Sequence, residues 1–181
     1  MRFVVWLFLC ILPTIFLSAQ KQQREPLTEA QVEQIAEAGI DPPGRVDLYV
    51  KFLNARADTI KGLTTRAKGS ARDERLVGEL QDFAALVDEL GDNLDVYSDR
   101  KSDIRKSLKP LNDSIHRWQA ILTALPSEPA FELSRKDALE ATGDLADQAR
   151  KITTDLDAYF DQHKDEKGQD RAEPSATPTQ H

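Results

Sequence analysis

Between residues 76 and 125 the apolar positions follow one repeating pattern. Leu76, Leu80, Phe83, Val87, Leu90, Leu94, Tyr97, Ile104, Leu108, Leu111, Ile115, Trp118, Leu122 and Leu125 keep alternating spacings of four and three, and Lys101 holds the single polar place in the series. A mean spacing of about 3.5 residues keeps such positions on one helix face, so the series predicts a coiled-coil-like seam. One long helix, or two nearly collinear ones, would carry it. A kink is expected near Pro110, because proline removes a backbone donor and crowds the preceding turn. A second stripe precedes the seam at Val46, Tyr49, Leu53, Ala57, Ile60, Thr64 and Ala67. A third follows it at Ala138, Thr142, Leu145, Ala149, Ile152, Leu156, Tyr159 and His163. Both read as amphipathic helices.

The punctuation between the stripes agrees with this reading. Leu27-Thr28-Glu29-Ala30-Gln31 opens a short helix, with Thr28 and Gln31 as a capping box and Leu27 stapled onto Val32. Gly39 closes it, and about ten residues need docking to be stable, here through Val32, Ile35 and Ile40. Asp41-Pro42-Pro43 restarts the chain as an N-cap and first-turn prolines. Lys68-Gly69-Ser70 followed by Asp73 supplies a basic last turn, a stop and a new capping box, which predicts a tight helical hairpin. Leu125-Pro126-Ser127-Glu128-Pro129 is the next break, and Ser134 with Asp137 offers a further cap. The expected fold is all-α, an elongated antiparallel helical bundle with coiled-coil-like packing.

Residues 1–19 stand apart. Arg2, an apolar run from Phe3 to Leu17, and then Ser18 and Ala19 read as a signal peptide, cleaved after Ala19. The run is short of the roughly 20 residues that cross a bilayer and is interrupted by Pro13, so an uncleaved anchor is the alternative. The chain thus divides into a signal at 1–19, a linker and short helix at 20–40, a helical bundle at 41–163, and a disordered tail at 164–181. The location implied is periplasmic or secreted, with no stable membrane span after cleavage. The only cysteine, Cys10, lies in the signal, so the mature chain would hold no disulfide and no thiolate ligand.

Composition narrows the functional classes. With 24 Lys+Arg against 31 Asp+Glu the chain carries −7, which argues against a nucleic-acid partner, since phosphates demand a basic surface. The charge is also segregated. From Leu76 to Asp99 there are seven acids and no basic residue, whereas the preceding stripe carries Arg45, Lys51, Arg56, Lys61, Arg66 and Lys68. Arg100, Lys101, Arg105, Lys106 and Lys109 could likewise face Asp144, Asp147, Asp155 and Asp157 of the last helix. Exposed pairs of this kind typically contribute well under 1 kcal/mol each and select register more than they hold a fold. Asp88, Asp92, Asp95 and Asp99 form an acidic ladder at spacings 4, 3 and 4. This face is either solvated, paired internally, or able to attract a cationic protein or a divalent ion. EF-hand spacing is absent.

No catalytic or cofactor pattern emerges. Asp113-x-x-His116 is the only acid-x-x-His pair, whereas a di-iron bundle needs two Glu-x-x-His motifs and further Glu. The only Met is Met1, which removes Met ligation of haem. His116 reads as a rim residue, His163 as the frayed end of the last stripe, and Tyr97 and Trp118 as core. Nucleophile-elbow, zinc-protease, Walker and dinucleotide motifs are missing. No catalytic, cofactor-binding or metal residue is therefore assigned, no cofactor is expected, and an enzyme is the least favoured class.

The segment Leu27-Thr28-Glu29-Ala30-Gln31 resembles the LTxxQ motif of the exported helical stress chaperones of the Spy and CpxP family. That family carries the motif twice. Here it occurs once, over five residues, and Leu63-Thr64-Thr65-Arg66 lacks the Gln. The reading that follows is a non-catalytic exported scaffold or protein-binding module, contacting a protein partner or a second copy through its helix faces. The alternative implied by the resemblance is a chaperone-like protein that holds unfolded clients. An exposed apolar groove would mark the chaperone, and a buried seam the scaffold.

Overall fold

In the computed structural model, residues 25–164 are described and form five helices: α1 (Glu29–Glu37), α2 (Pro42–Thr64), α3 (Ser70–Asp99), α4 (Arg105–Thr123) and α5 (Glu132–Gln162). The signal at 1–19 and the tail from residue 165 onward lie outside the described residues.

The start of α1 follows the expected chemistry. Gln31 N donates to the Thr28 hydroxyl (3.3 Å) and Thr28 N donates to Gln31 Oε1 (2.9 Å), which completes the capping box. Gly39 ends the element at φ +58°, a left-handed conformation that suits glycine. Docking uses fewer side chains than the pattern suggested. Ile35 is buried and Leu27 packs at the edge of the core, but Val32 and Ile40 remain 50% and 73% exposed. A single short helix lying on one neighbour has only a narrow inner face to bury.

Helix α2 begins with Pro42 and Pro43 in its first turn, where no amide partner is lost. It stops at Thr64, sooner than the stripe implied, so Thr64 is only half-buried and Ala67 is exposed. The hydroxyls of Thr64 and Thr65 donate to the carbonyls of Lys61 and Gly62 (2.7 and 2.8 Å) at this end. The hairpin falls where expected, but without its capping box. Ser70 is already helical, Gly69 takes the cap position, and Asp73 instead accepts a hydrogen bond from Arg72 Nη1 (3.2 Å).

Cross-helix bonds set the topology. Tyr49 with Glu89, and Arg56 with Glu79 and Asp82, lay α3 antiparallel to α2. Ser107 Oγ donates to the Pro43 carbonyl (3.3 Å) and Trp118 Nε1 to Asn54 Oδ1 (2.9 Å), so α4 runs parallel to α2. Gln148 Nε2 donates to the Gly91 carbonyl (3.0 Å), and α5 runs parallel to α3. Helices α2 and α5 each pack on both α3 and α4, which leaves α3 and α4 diagonal across the bundle axis. There the rings of Phe83 and Trp118 meet edge to face, with centroids 5.8 Å apart.

All fourteen apolar seam positions are buried. The helices that carry them are not collinear. The chain reverses through residues 100–104, with Lys101 at φ 55°, so the seam runs down α3 and returns up α4. The pattern survives because both helices point the same kind of face at one axis. Pro110 lies in the second turn of α4, and the helix continues through it, so the chain breaks at the reversal upstream and not at the proline.

The stripe of α5 holds from Ala138 to Leu156 and then shifts by one place: Phe160 is buried, whereas Tyr159 and His163 are only half-buried. An α-helix of 3.6 residues per turn drifts about 20° per heptad against a strict 3.5 repeat, and over 31 residues the drift moves the buried face by one position. Ser134, expected as a cap, is buried inside the helix, which begins at Glu132.

Candidate functional site

The acidic ladder is the one site residue set read from the sequence, and the fold places it on the side of α3 that faces α5 and solvent. Asp88, Asp92, Asp95 and Asp99 are all exposed and form no ion pair among the described residues. The expected pairing of acidic α3 with basic α2 occurs on another face of α3. There Arg56 Nη1 bonds Glu79 Oε2 (3.0 Å) and Asp82 Oδ2 (3.1 Å), and its Nη2 reaches the Pro26 carbonyl. Complementarity between residues 100–109 and α5 reduces to one distant pair, Arg105 with Asp157 at 3.9 Å, since Arg105 is held mainly by Asp103 (2.8 Å). The reversal at residues 100–104 accounts for this. It sets α5 parallel to α3, so acid faces acid along much of the contact.

The consequence is a notch of about 370 Å³ between α3 and α5, lined by Val87, Gly91, Ala141 and Leu145 with Asp88, Asp92, Asp144 and Gln148. Small side chains make the room. Gly91 brings α5 close, where the Gln148 amide bonds its carbonyl, and a Cβ at Gly91 would stand 3.0 Å from Gln148 Oε1. Val87 and Leu145 are buried and supply an apolar floor. The carboxylates crowd one another at the rim. Burial, followed by the charges of Asp92 and Asp144, holds the Asp88 carboxyl above its ordinary range. Asp144 also forms no ion pair among the described residues.

This arrangement offers a single sign of charge around an apolar pit. It suits a cation carried on an aliphatic stem, such as a Lys or Arg side chain, whose methylenes cover the floor while the head meets the acids. It does not gather ligands for a metal. Among the described residues, no group of three or more His, Cys, Asp or Glu is placed to hold an ion. His116 is exposed, and His163 stacks on Tyr159 with centroids 4.3 Å apart.

Two buried polar clusters escaped the sequence reading. Arg72, which no sequence pattern singled out, has a side chain only 5% exposed. It forms two bonds to the Glu128 carboxylate (3.2 and 3.3 Å), donates to the Leu63 carbonyl (3.3 Å), and lies over the Phe131 ring. The Arg72 bond, seconded by Lys68, holds the Glu128 carboxyl below its ordinary range. Between α2 and α3, Tyr49 donates to Glu89 (2.6 Å), and Asn93 bridges Tyr49 and Tyr97 at 3.4 Å each. Burial, then the Glu89 bond, pushes the Tyr49 phenol well up. Both clusters join distant segments and hold their register.

No helix among the described residues is long and apolar enough to cross a membrane. The five residues that resemble the LTxxQ motif act here as cap and edge packing for α1. No protein-family model, curated protein or solved structure matches the chain.

Proposed function

We propose that the protein is a non-catalytic module, exported by the signal at 1–19 to the periplasm or the exterior, that binds a protein partner through the acidic face shared by α3 and α5. One observation carries the reading: Asp88, Asp92 and Asp144 converge on an apolar-floored notch whose lining holds no basic residue, and among the described residues none of the three is ion-paired. Like charges held together without a partner cost folding free energy, and selection tolerates that cost most readily where a ligand later relieves it. The partner is therefore a cationic segment of another protein. A second copy docking through this same face would bring the same sign of charge to it. Among the described residues the large apolar side chains that stand exposed, Val32, Ile40, Val96 and Leu133, are scattered over α1, the turn after it, α3 and α5, so a charged face is better supported than an apolar client groove.

The test is calorimetric titration with a helical Lys-rich peptide, against the parent and an Asp88→Asn/Asp92→Asn/Asp144→Asn variant. The parent should bind with an affinity that falls as salt rises, and the variant should lose binding while melting at or slightly above the parent's temperature. Equal binding by both proteins would remove the notch from consideration. Mass spectrometry of envelope and cytoplasmic fractions tests export, and an intact Met1 in the soluble cytoplasm would refute it.

A further inference from the structure

Helix α1 is attached differently from the other four. Each of α2 to α5 packs on two or more neighbours, whereas α1 packs on α2 alone. It is nine residues long, below the roughly 12–15 residues at which a helix holds itself in water. Its anchorage is small: Ile35 is its one buried residue, Leu27 packs at the core edge, and the Pro26 carbonyl accepts from Arg56. At its other end the chain passes through Gly39 at φ +58°, with Ile40 and Asp41 between it and the prolines that start α2. The bundle core from Val46 to Phe160 closes without it.

From this geometry we infer that α1 is a releasable strap, which swings away about Gly39 while α2 to α5 stay folded. Release uncovers the seat of Ile35 on α2. It also frees Arg56, which keeps its bonds to Glu79 and Asp82 and so remains in place at the border of the uncovered strip. Arg56 is thus a fixed cation at the edge of the surface that α1 leaves. The hinge residue is specific. A side chain at position 39 meets no steric block, the nearest atom being the Glu37 carbonyl oxygen at 3.8 Å, but it is strained by the left-handed backbone. Gly39→Ala therefore weakens the docked strap with little effect on anything else.

Native-state hydrogen exchange on the full chain tests this. The amides of α1 should exchange through a local opening whose rate is nearly independent of low denaturant, while those of α3 and α5 follow global unfolding. The left-handed penalty of about 1–2 kcal/mol corresponds to about 5- to 30-fold, so Gly39→Ala should speed exchange in α1 by that factor and leave α3 and α5 unchanged. Thiol labelling of Ile35→Cys, in a Cys10→Ser background, should accelerate by a similar factor when Gly39→Ala is added. The inference is overturned if the slowest α1 amides share the exchange free energy and denaturant dependence of α3, or if Gly39→Ala accelerates all helices together.

Discussion

Leu90 and Leu111 are both fully buried, and the diagonal packing makes a specific prediction about removing them together. Phe83 meets Trp118 across the axis. Seven residues onward along α3 lies Leu90, and seven residues back along α4 lies Leu111, so the antiparallel register brings the two leucines to one level of the core. Each Leu→Ala change removes about three methylene equivalents, or about 2.4 kcal/mol of transfer free energy, and the residual cavity raises the cost into the 2–5 kcal/mol range. If the leucines share one region of core, each single variant already loses part of their mutual packing. The double variant should then fall short of the sum by at least about 0.5 kcal/mol. On nearly collinear helices the same residues would be about 30 Å apart, and the losses would add. Urea unfolding of the four proteins, followed by far-ultraviolet circular dichroism and by the fluorescence of Trp118, measures the difference. Additivity within about 0.3 kcal/mol would refute the diagonal arrangement.

The same reversal makes Lys101→Ile informative: the substitution completes the apolar seam on paper, yet it puts a β-branched residue at φ 55° and should destabilise by about 1 kcal/mol or more in a thermal melt. Gly62→Ala and Gly143→Ala add Cβ atoms that meet nothing within 4 Å inside helices, and together should raise stability by about 1.5 kcal/mol in urea titrations. Acid melts should separate two signs of linkage. Glu128 and Asp103 are held down by hydrogen bonds from Arg72 and Arg105, so the stability they contribute is complete above their ordinary values of 4.5 and 3.8 and is lost as pH falls through the lower folded values. Glu128→Gln should flatten that acid loss. Asp88 is shifted the other way, so its ionisation costs stability as pH rises through its folded value. Asp88→Asn should leave strongly acidic melts unchanged and stabilise at neutral pH by about 0.5 kcal/mol, as relief of an i,i+4 like charge and a cross-helix one allows.

Burial depth was more legible in the sequence than path. Every apolar position that the 4-3 spacing named between Leu76 and Leu125 is buried, because that spacing reports which side of a helix faces the core whatever direction the helix takes, and it passed over Leu86, which is buried as well. Direction left a fainter trace. The six polar residues Ser98-Asp99-Arg100-Lys101-Ser102-Asp103 interrupt the seam and hold the reversal, but with no glycine or proline among them the steady spacing of the flanking leucines outweighed the signal. The ladder Asp88 to Asp99 could be read as one face. That Asp144 joins it could not, since this depends on α5 running parallel to α3. Arg72 was opaque for a different reason: its partner Glu128 is 56 residues away, in a loop that local pattern describes only as a break.

The diagonal connection also bears on how the chain reaches this state. Contacts of α2 with α3, and of α4 with α5, join helices adjacent in sequence, whereas Trp118 reaches back 64 residues to Asn54 and Gln148 reaches 57 to Gly91. The molecule is thus two antiparallel helical hairpins laid face to face, joined by five residues that cross between opposite corners. Each hairpin closes through short loops early, and the longer closures are made only when the halves dock. Phe83 and Trp118 belong to different halves, so their ring contact marks that docking step, and the single tryptophan of the bundle is a natural reporter for the last event of folding.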